Sequence, residues 1–479
     1  MLPARRLATW CFSVSCLLLA ALPTQTHAQG AVIVSSEVDL HSSSRYEVFG
    51  SGPDRTILYR DEPGKVYLDA YDSDMKLDWS RELDLDKVRP QPIGALVHEE
   101  EVVVLYTYRK NRGLHLKLHR YGERGNLSDS LTVLTLDGEL LTPNWLLRVD
   151  ENSEFAVLVN RRDSRTYNFI HLEVSTGRVL STKVVKVDDR ESGAQYDDEV
   201  YVDERGAAYF WSQRNNRASK LDEHAVLVTR VGVDGTVQTL TIKLPETLVY
   251  DLQLGVDEAN GRVVLAGYYT DDSDEAHGLM VLSTPYAMTE DVMAYSVPFD
   301  AKVIASVDQK DRDPEGVRDI EVTDLIFRRD GSALIVGEQR RETLRTVGGR
   351  TGYFGGSLKT DYLYEDVVLA AVGPDGQNLW QEVLPKKQFS QDDGAAFSGY
   401  FLAATPRRVH VIYNDEVRNG GTVSEFSITG TGSIDRHSLM NTEYRDLWLR
   451  QAAAVQTGPS TVVIPSERRG RLKLVRVQF

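Results

Sequence analysis

The sequence predicts an all-β protein: an eight-bladed β-propeller of four-stranded antiparallel blades, closed by pairing of the N- and C-terminal strands. Three observations predict it. A hairpin of one signature recurs seven times, and an eighth copy is split between the chain ends. A second hairpin precedes these copies, so four-stranded meanders follow one another at a spacing of about 50 residues, as in propeller repeats. The inner strands are continuous apolar runs, as in Val102-Val103-Val104-Leu105. Such strands need cover on both faces, and radial packing of blades supplies it.

The clearest copy reads Val367-Val368-Leu369-Ala370-Ala371-Val372, then Pro374-Asp375-Gly376, then Trp380, then Leu384-Pro385. An apolar strand enters a tight turn, where Asp bonds its own backbone and Gly accepts positive φ. A second strand then ends on an apolar anchor. Blade one starts near Tyr46; its copy has Met75 in the glycine position but keeps Asp74, Trp79 and Leu83. Blade two starts near Pro92 and leads from Gly125 to the anchor Val133; blade three starts near Asn144 and leads from Gly177 to Val185. Blade four starts near Val200, with Gly206 in its first hairpin and Asp234-Gly235 in its second, whose anchor Leu244 comes one residue later. Blade five starts near Tyr250, with Gly261 and a degenerate copy that keeps Val297-Pro298. Blade six starts near Val322, sets Asp330-Gly331 between two apolar strands, and contains the clearest copy. Blade seven starts near Tyr400 and leads from Gly432 to Met440. Blade eight starts near Leu447 and stops at a third strand, Leu472 to Val477; residues 32–40 supply its fourth. Closure of this kind removes free strand edges.

Residues 1–28 read as a secretory signal peptide: Arg5 and Arg6, an apolar stretch around Cys11 to Leu22, and Thr26-His27-Ala28 before Gln29. Residues 29–479 then form a single propeller domain, secreted or periplasmic, with no membrane span in the mature chain. Both cysteines, Cys11 and Cys16, fall inside the signal, which excludes disulfides, thiolate catalysis and cysteine metal sites. A lipoprotein would need Cys16 as its acylated residue, but Leu17-Leu18-Leu19 continue the apolar stretch. Removal of the two arginines leaves 53 basic against 71 acidic residues, a balance of −18. That charge disfavours nucleic acid as a partner. Phe479 after Val475 and Val477 also matches the last strand of an outer-membrane barrel. A barrel needs lipid-facing alternation in every strand, which the continuous runs lack.

The Leu379-Trp380 to Leu384-Pro385 ending resembles the repeat of quinoprotein-like propellers. A longer resemblance covers residues 362–415: Tyr362, Tyr364, Asp366-Val367-Val368, Asp375-Gly376, Trp380, Leu384-Pro385-Lys386-Lys387-Gln388 and Tyr413-Asn414-Asp415. It is similar to a family of uncharacterised secreted β-propeller proteins from Bacteroidetes-type bacteria. That resemblance implies the fold and export, and carries no activity or ligand. Quinone chemistry does not follow, because only Trp79 and Trp380 hold the repeat tryptophan position and the adjacent cysteine pair of those dehydrogenases is absent. No cofactor and no metal are expected.

One propeller face collects the loop after the second strand of each blade and the loops between blades. Five of the former begin with a polar or aromatic residue followed by Arg: Tyr108-Arg109, Asn160-Arg161, Gln213-Arg214, Gln339-Arg340 and Glu467-Arg468. Guanidinium forks match carboxylate, sulfate or phosphate, so these arginines are candidate ligands for an anionic group. The competing reading is fastening: acidic inter-blade loops on the same face, such as Asp188-Asp189 and Asp392-Asp393, would pair with them. Blade six carries a long insertion, about Glu338 to Glu365, in which Arg345, Arg350, Tyr353 and Phe354 are candidate contacts of a lid or docking arm. The acidic runs at 271–275 and 308–315 lack calcium-loop spacing. His115 and His119 lie about 13 Å apart on a strand, too far to share an ion, and are expected to face solvent beside Lys117. No esterase elbow, zinc-protease helix or glycosidase signature appears. The reading is an exported, monomeric binding or scaffold protein that recognises a protein or acidic glycan. A carbohydrate-active hydrolase or lyase, and a structural part of an envelope complex, are the alternatives.

Overall fold

The computed structural model describes residues 31–479 except 53, 88, 137–143, 188–195, 215–222, 246, 271–274, 290, 308–313, 348–356, 418–420 and 444–445. Seven consecutive meanders, with first strands Arg45–Gly50, Gln91–His98, Trp145–Val149, Tyr196–Val202, Leu248–Asp257, Ile320–Phe327 and Tyr400–Ala404, form seven antiparallel sheets. The eighth sheet is composite. Ala31–Val34 pairs with Arg471–Gln478, which pairs with Thr461–Arg468 and then Val455–Gly458. The fold is therefore an eight-bladed β-propeller closed by its terminal strands.

The apolar runs explain the ring. Buried residues fall into eight clusters among the described residues, one at each blade junction. Leu68 and Val104, for example, meet between blades one and two, and Val475 and Ile412 between seven and eight. Each second and third strand contributes to two junctions, so its side chains are buried on both faces. Polar contacts between first strands bind the inner wall. Arg148 donates to the Val200 carbonyl (3.3 Å), Gln253 to Glu199 (3.3 Å), and Gln456 exchanges two bonds with the Ala404 backbone (2.8 and 3.0 Å).

Three expectations are corrected. The inner strand of blade eight starts at Val455, not near Leu447. Leu449 makes only an isolated bridge to Ser466, and a 3₁₀ turn at Gln451–Ala453 intervenes. The blade-six insertion is mostly strand rather than loop. Ala333–Val347 and Ser357–Val372 pair from end to end, and Gln388–Gln391 adds to their outer part. His119 and Lys117 do not face solvent; they are 0% and 5% exposed. Their strand, Gly113–Tyr121, lies between the second and fourth strands of blade two, and its flank is covered by blade one and the connection at residues 84–90.

Candidate functional site

Successive residues of a strand point to opposite sides, and this decides what the polar-Arg pairs do. In three of the five pairs the first member clamps backbone. Gln213 both donates to the Leu252 carbonyl (3.2 Å) and accepts its N–H (3.0 Å), tying blade four to five. Asn160 donates to Asn144 (3.2 Å) and Gln339 to Arg318 (2.9 Å). Glu467 accepts from Arg450 (2.5 Å) and Tyr46 (3.4 Å), tying blade eight to one. Tyr108 stacks on His115 at 4.9 Å. The described arginine side chains, those of Arg109, Arg161, Arg340 and Arg468, turn outward. Arg109 and Arg161 are exposed, and Arg161 Nε donates to the Asp163 carbonyl at 3.1 Å. Arg340 pairs with Glu338 (2.7 Å) and Glu321 (3.7 Å), Arg345 with Asp361 (2.6 Å), and Arg468 with Asp446. The Arg214 side chain and all of Arg350, Tyr353 and Phe354 lie outside the described residues, as do residues 271–274 and 308–313 of the acidic runs.

Residues of the 362–415 segment converge instead on a buried polar chain crossing blades six to eight. Lys386, 4% exposed, meets the fully buried Glu338 at 2.7 Å and donates to Gln388 (2.9 Å) and the Tyr364 carbonyl (3.1 Å). Asp366 accepts the Lys386 N–H. Gln388 donates to the Asn414 carbonyl at 2.6 Å, and Asn414 donates to Phe397 (2.8 Å) and Leu449 (2.9 Å). Burial pushes the Lys386 ammonium below its usual range, and Glu338 opposes that shift. Beside this chain Tyr400 donates to Asp324 at 2.7 Å; burial raises both groups.

A second polar centre lies between blades one and two. Asp86 accepts from Lys117 (2.6 and 2.7 Å) and Tyr106 (2.7 Å), and His119 bonds Tyr106 (3.0 Å), Ser130 (3.2 Å) and Tyr121 (2.9 Å). Burial alone would raise the Asp86 carboxyl, but its hydrogen bonds from Lys117, Lys87 and Tyr106 hold it well below the usual range. Burial lowers His119. Every member is engaged, so the cluster reads as a fastening between blades.

The opposite mouth carries a feature the sequence reading passed over. Val149-Asp150-Glu151, Val202-Asp203-Glu204 and Val256-Asp257-Glu258 end the first strands of blades three, four and five. Each aspartate is buried and holds its turn; Asp203 accepts the N–H of Arg205 (3.0 Å) and Ala207 (2.7 Å). The three glutamates line one groove of about 740 Å³ with Tyr201, Val256, Leu325 and Phe327. The signal was present as a Val-Asp-Glu triplet recurring at blade spacing. Among the described residues, no group of three His, Cys, Asp or Glu could hold a metal ion. No helix among them is long and apolar enough to cross a membrane.

No family model matches this chain, and no match is found among curated proteins. Solved structures do match. The chain is similar to the Nup133 β-propeller domain of Vanderwaltozyma polyspora, at 11% identity and a TM-score of 0.41, over 89% of this chain and 100% of that one. It is similar to the β-propeller domain of the Trilobed protease from Pyrococcus furiosus, at 10% identity and 0.34, over 83% and 98%. It is also similar to the polysaccharide lyase Uly1, at 9% identity and 0.40, over 82% and 91%. Likeness at this level concerns the arrangement of strands alone, and by its own topology the chain is an eight-bladed β-propeller.

Proposed function

We propose that this chain is an exported binding or scaffold propeller that engages a protein or an acidic glycan through its loop-rich face. One observation carries the reading. The blade-six hairpin runs past the ring on that face, pairing from Arg340–Tyr364 out to Val347–Ser357. Leu344 and Leu358 are diagonal neighbours on one side of this arm, at 63% and 65% exposure, the highest values for large apolar side chains among the described residues. Apolar side chains paired on a projecting element mark contact surfaces more than they serve a core. The arginines of the same face bring charge-assisted donors to the rim.

The test compares wild-type protein with two variants on a glycan array and in affinity capture. In one, Asn-Gly replaces residues 344–360, leaving the Thr343–Asp361 pair to close a two-residue hairpin. The other is Leu344→Ser with Leu358→Ser. The expected result is a glycan or protein retained by wild type and lost by both variants, with melting unchanged. Identical profiles for all three proteins would overturn the reading.

A further inference from the structure

The seam where the two chain ends meet encloses a small pocket on the loop-rich face of blade eight. Its volume is about 210 Å³, and Arg468, Arg469, Arg471 and Lys473 line it with Glu37, Asp446 and Ser466. Four cations thus face two carboxylates, a surplus of two positive charges in a protein that is acidic as a whole. Arg468 lies on Asp446, while Arg471 and Lys473 share Glu37 at 2.9 and 3.0 Å. Among the described residues, no ion pair or hydrogen bond of the Arg469 side chain is present.

Two further observations point into the pocket. Ser466 is 3% exposed, and its Oγ accepts the Trp448 N–H at 2.8 Å. Its own proton has no acceptor among the described residues, so a buried hydroxyl donor is left over. Arg469 has φ +50° and Gly470 φ +74°, in the two-residue turn between Thr461–Arg468 and Arg471–Gln478. Such turns favour Asn, Asp or Gly at the first position. An arginine there is a backbone cost, of the kind concentrated where side chains have a binding role.

Resting on the reading that this face recognises anionic groups, we propose that the seam pocket binds a phosphate dianion, free or as a monoester. The surplus of two charges matches it, the arginine forks and the Ser466 hydroxyl supply donors for its oxygens, and the pocket has room for several water volumes. Glu37 comes from the N-terminal segment and the cations from the last hairpin. A bound phosphate would therefore share Arg471 and Lys473 with Glu37, at the closure of the ring.

The test is calorimetric titration of the purified protein with inorganic phosphate, glucose 6-phosphate and acetate at pH 8, repeated on Arg469→Gln and Ser466→Ala. Phosphate is expected to bind once per chain and to raise the melting temperature. Acetate should bind at least tenfold more weakly, and each variant should lose about tenfold in phosphate affinity; Arg469→Gln should leave the melting of the unliganded protein unchanged, whereas Ser466→Ala, which also removes the acceptor of the Trp448 N–H, should lower it. Tighter binding of glucose 6-phosphate than of phosphate would assign the site to an esterified ligand, and the reverse to the free ion. Absence of saturation by 20 mM of either phosphate, or equal affinity in Arg469→Gln, would overturn the inference. The arm-shortened protein should bind phosphate normally, so failure here and failure of arm-dependent capture are separate results.

Discussion

Trp380 and Gly432 touch across the junction of blades six and seven. A Cβ on Gly432 would lie 2.9 Å from the indole, and Trp380 Nε1 donates to the Gly430 carbonyl at 3.3 Å. Trp79 lies on Gly125 in the same way, and Tyr295 on Gly376. The turn glycine of one blade is thus the seat for a fourth-strand side chain of the blade before it. The two marks of the repeat are one contact seen from two sides.

Gly432→Ala should therefore destabilise the protein by about 1–3 kcal/mol, since φ is +85° and the indole blocks the new methyl. Gly64→Ala shares a positive φ of 79° but meets nothing within 4 Å, so it should cost less. Paired denaturant melts check the order.

Lys386→Met leaves Glu338 buried with Arg340 as its remaining ion-pair partner. Breaking a buried pair costs about 3–5 kcal/mol. A double variant with Glu338→Gln should be less destabilised than the sum of the two single variants, and a double-mutant cycle measures the difference.

His171 is 1% exposed, and burial lowers its pKa from 6.5 to about 4. Between those values the unfolded chain binds the extra proton and the folded one does not, so stability is full above pH 6.5 and falls as pH drops toward 4. A shift of that size corresponds to about 3 kcal/mol over the window. His171→Gln should remove this part of the acid sensitivity in melts taken from pH 7 to 4.

Asp203→Ala removes a buried acceptor from two backbone N–H groups, at a cost of about 1–3 kcal/mol. The adjacent Glu204→Gln should change stability by less than about 0.5 kcal/mol. Equal effects in thermal unfolding would contradict the division of labour within the Val-Asp-Glu turns.

The ring and its closure were legible because the repeat is built from local signals: Asp-Gly turns, apolar runs and anchors at a fixed offset. The site was less so. In Gln213-Arg214 and Asn160-Arg161 the charged residue drew attention, while the neutral one makes the inter-segment bonds. Only strand phase separates them, and phase depends on bulges such as that between Glu338 and Arg340. Lys386 and Gln388 carry no signal in the sequence beyond the resemblance over residues 362–415. Their partners Glu338 and Asn414 lie 48 and 26 residues away in sequence, a distance no local pattern spans. His119 was misjudged because a polar side chain on a third strand is buried whenever the neighbouring connection folds over it.

Ala31–Val34 has a further consequence during synthesis. This strand emerges from the ribosome well before its mate Arg471–Gln478, with seven blades of sequence between them. At about 5–20 residues per second the two are separated by tens of seconds, in which seven blades can stack while the eighth stays open. The molecule is thus an unclasped bracelet until Arg471–Gln478 arrives. In a chain whose seven blades have stacked, what is left to shield through that interval is one bare strand.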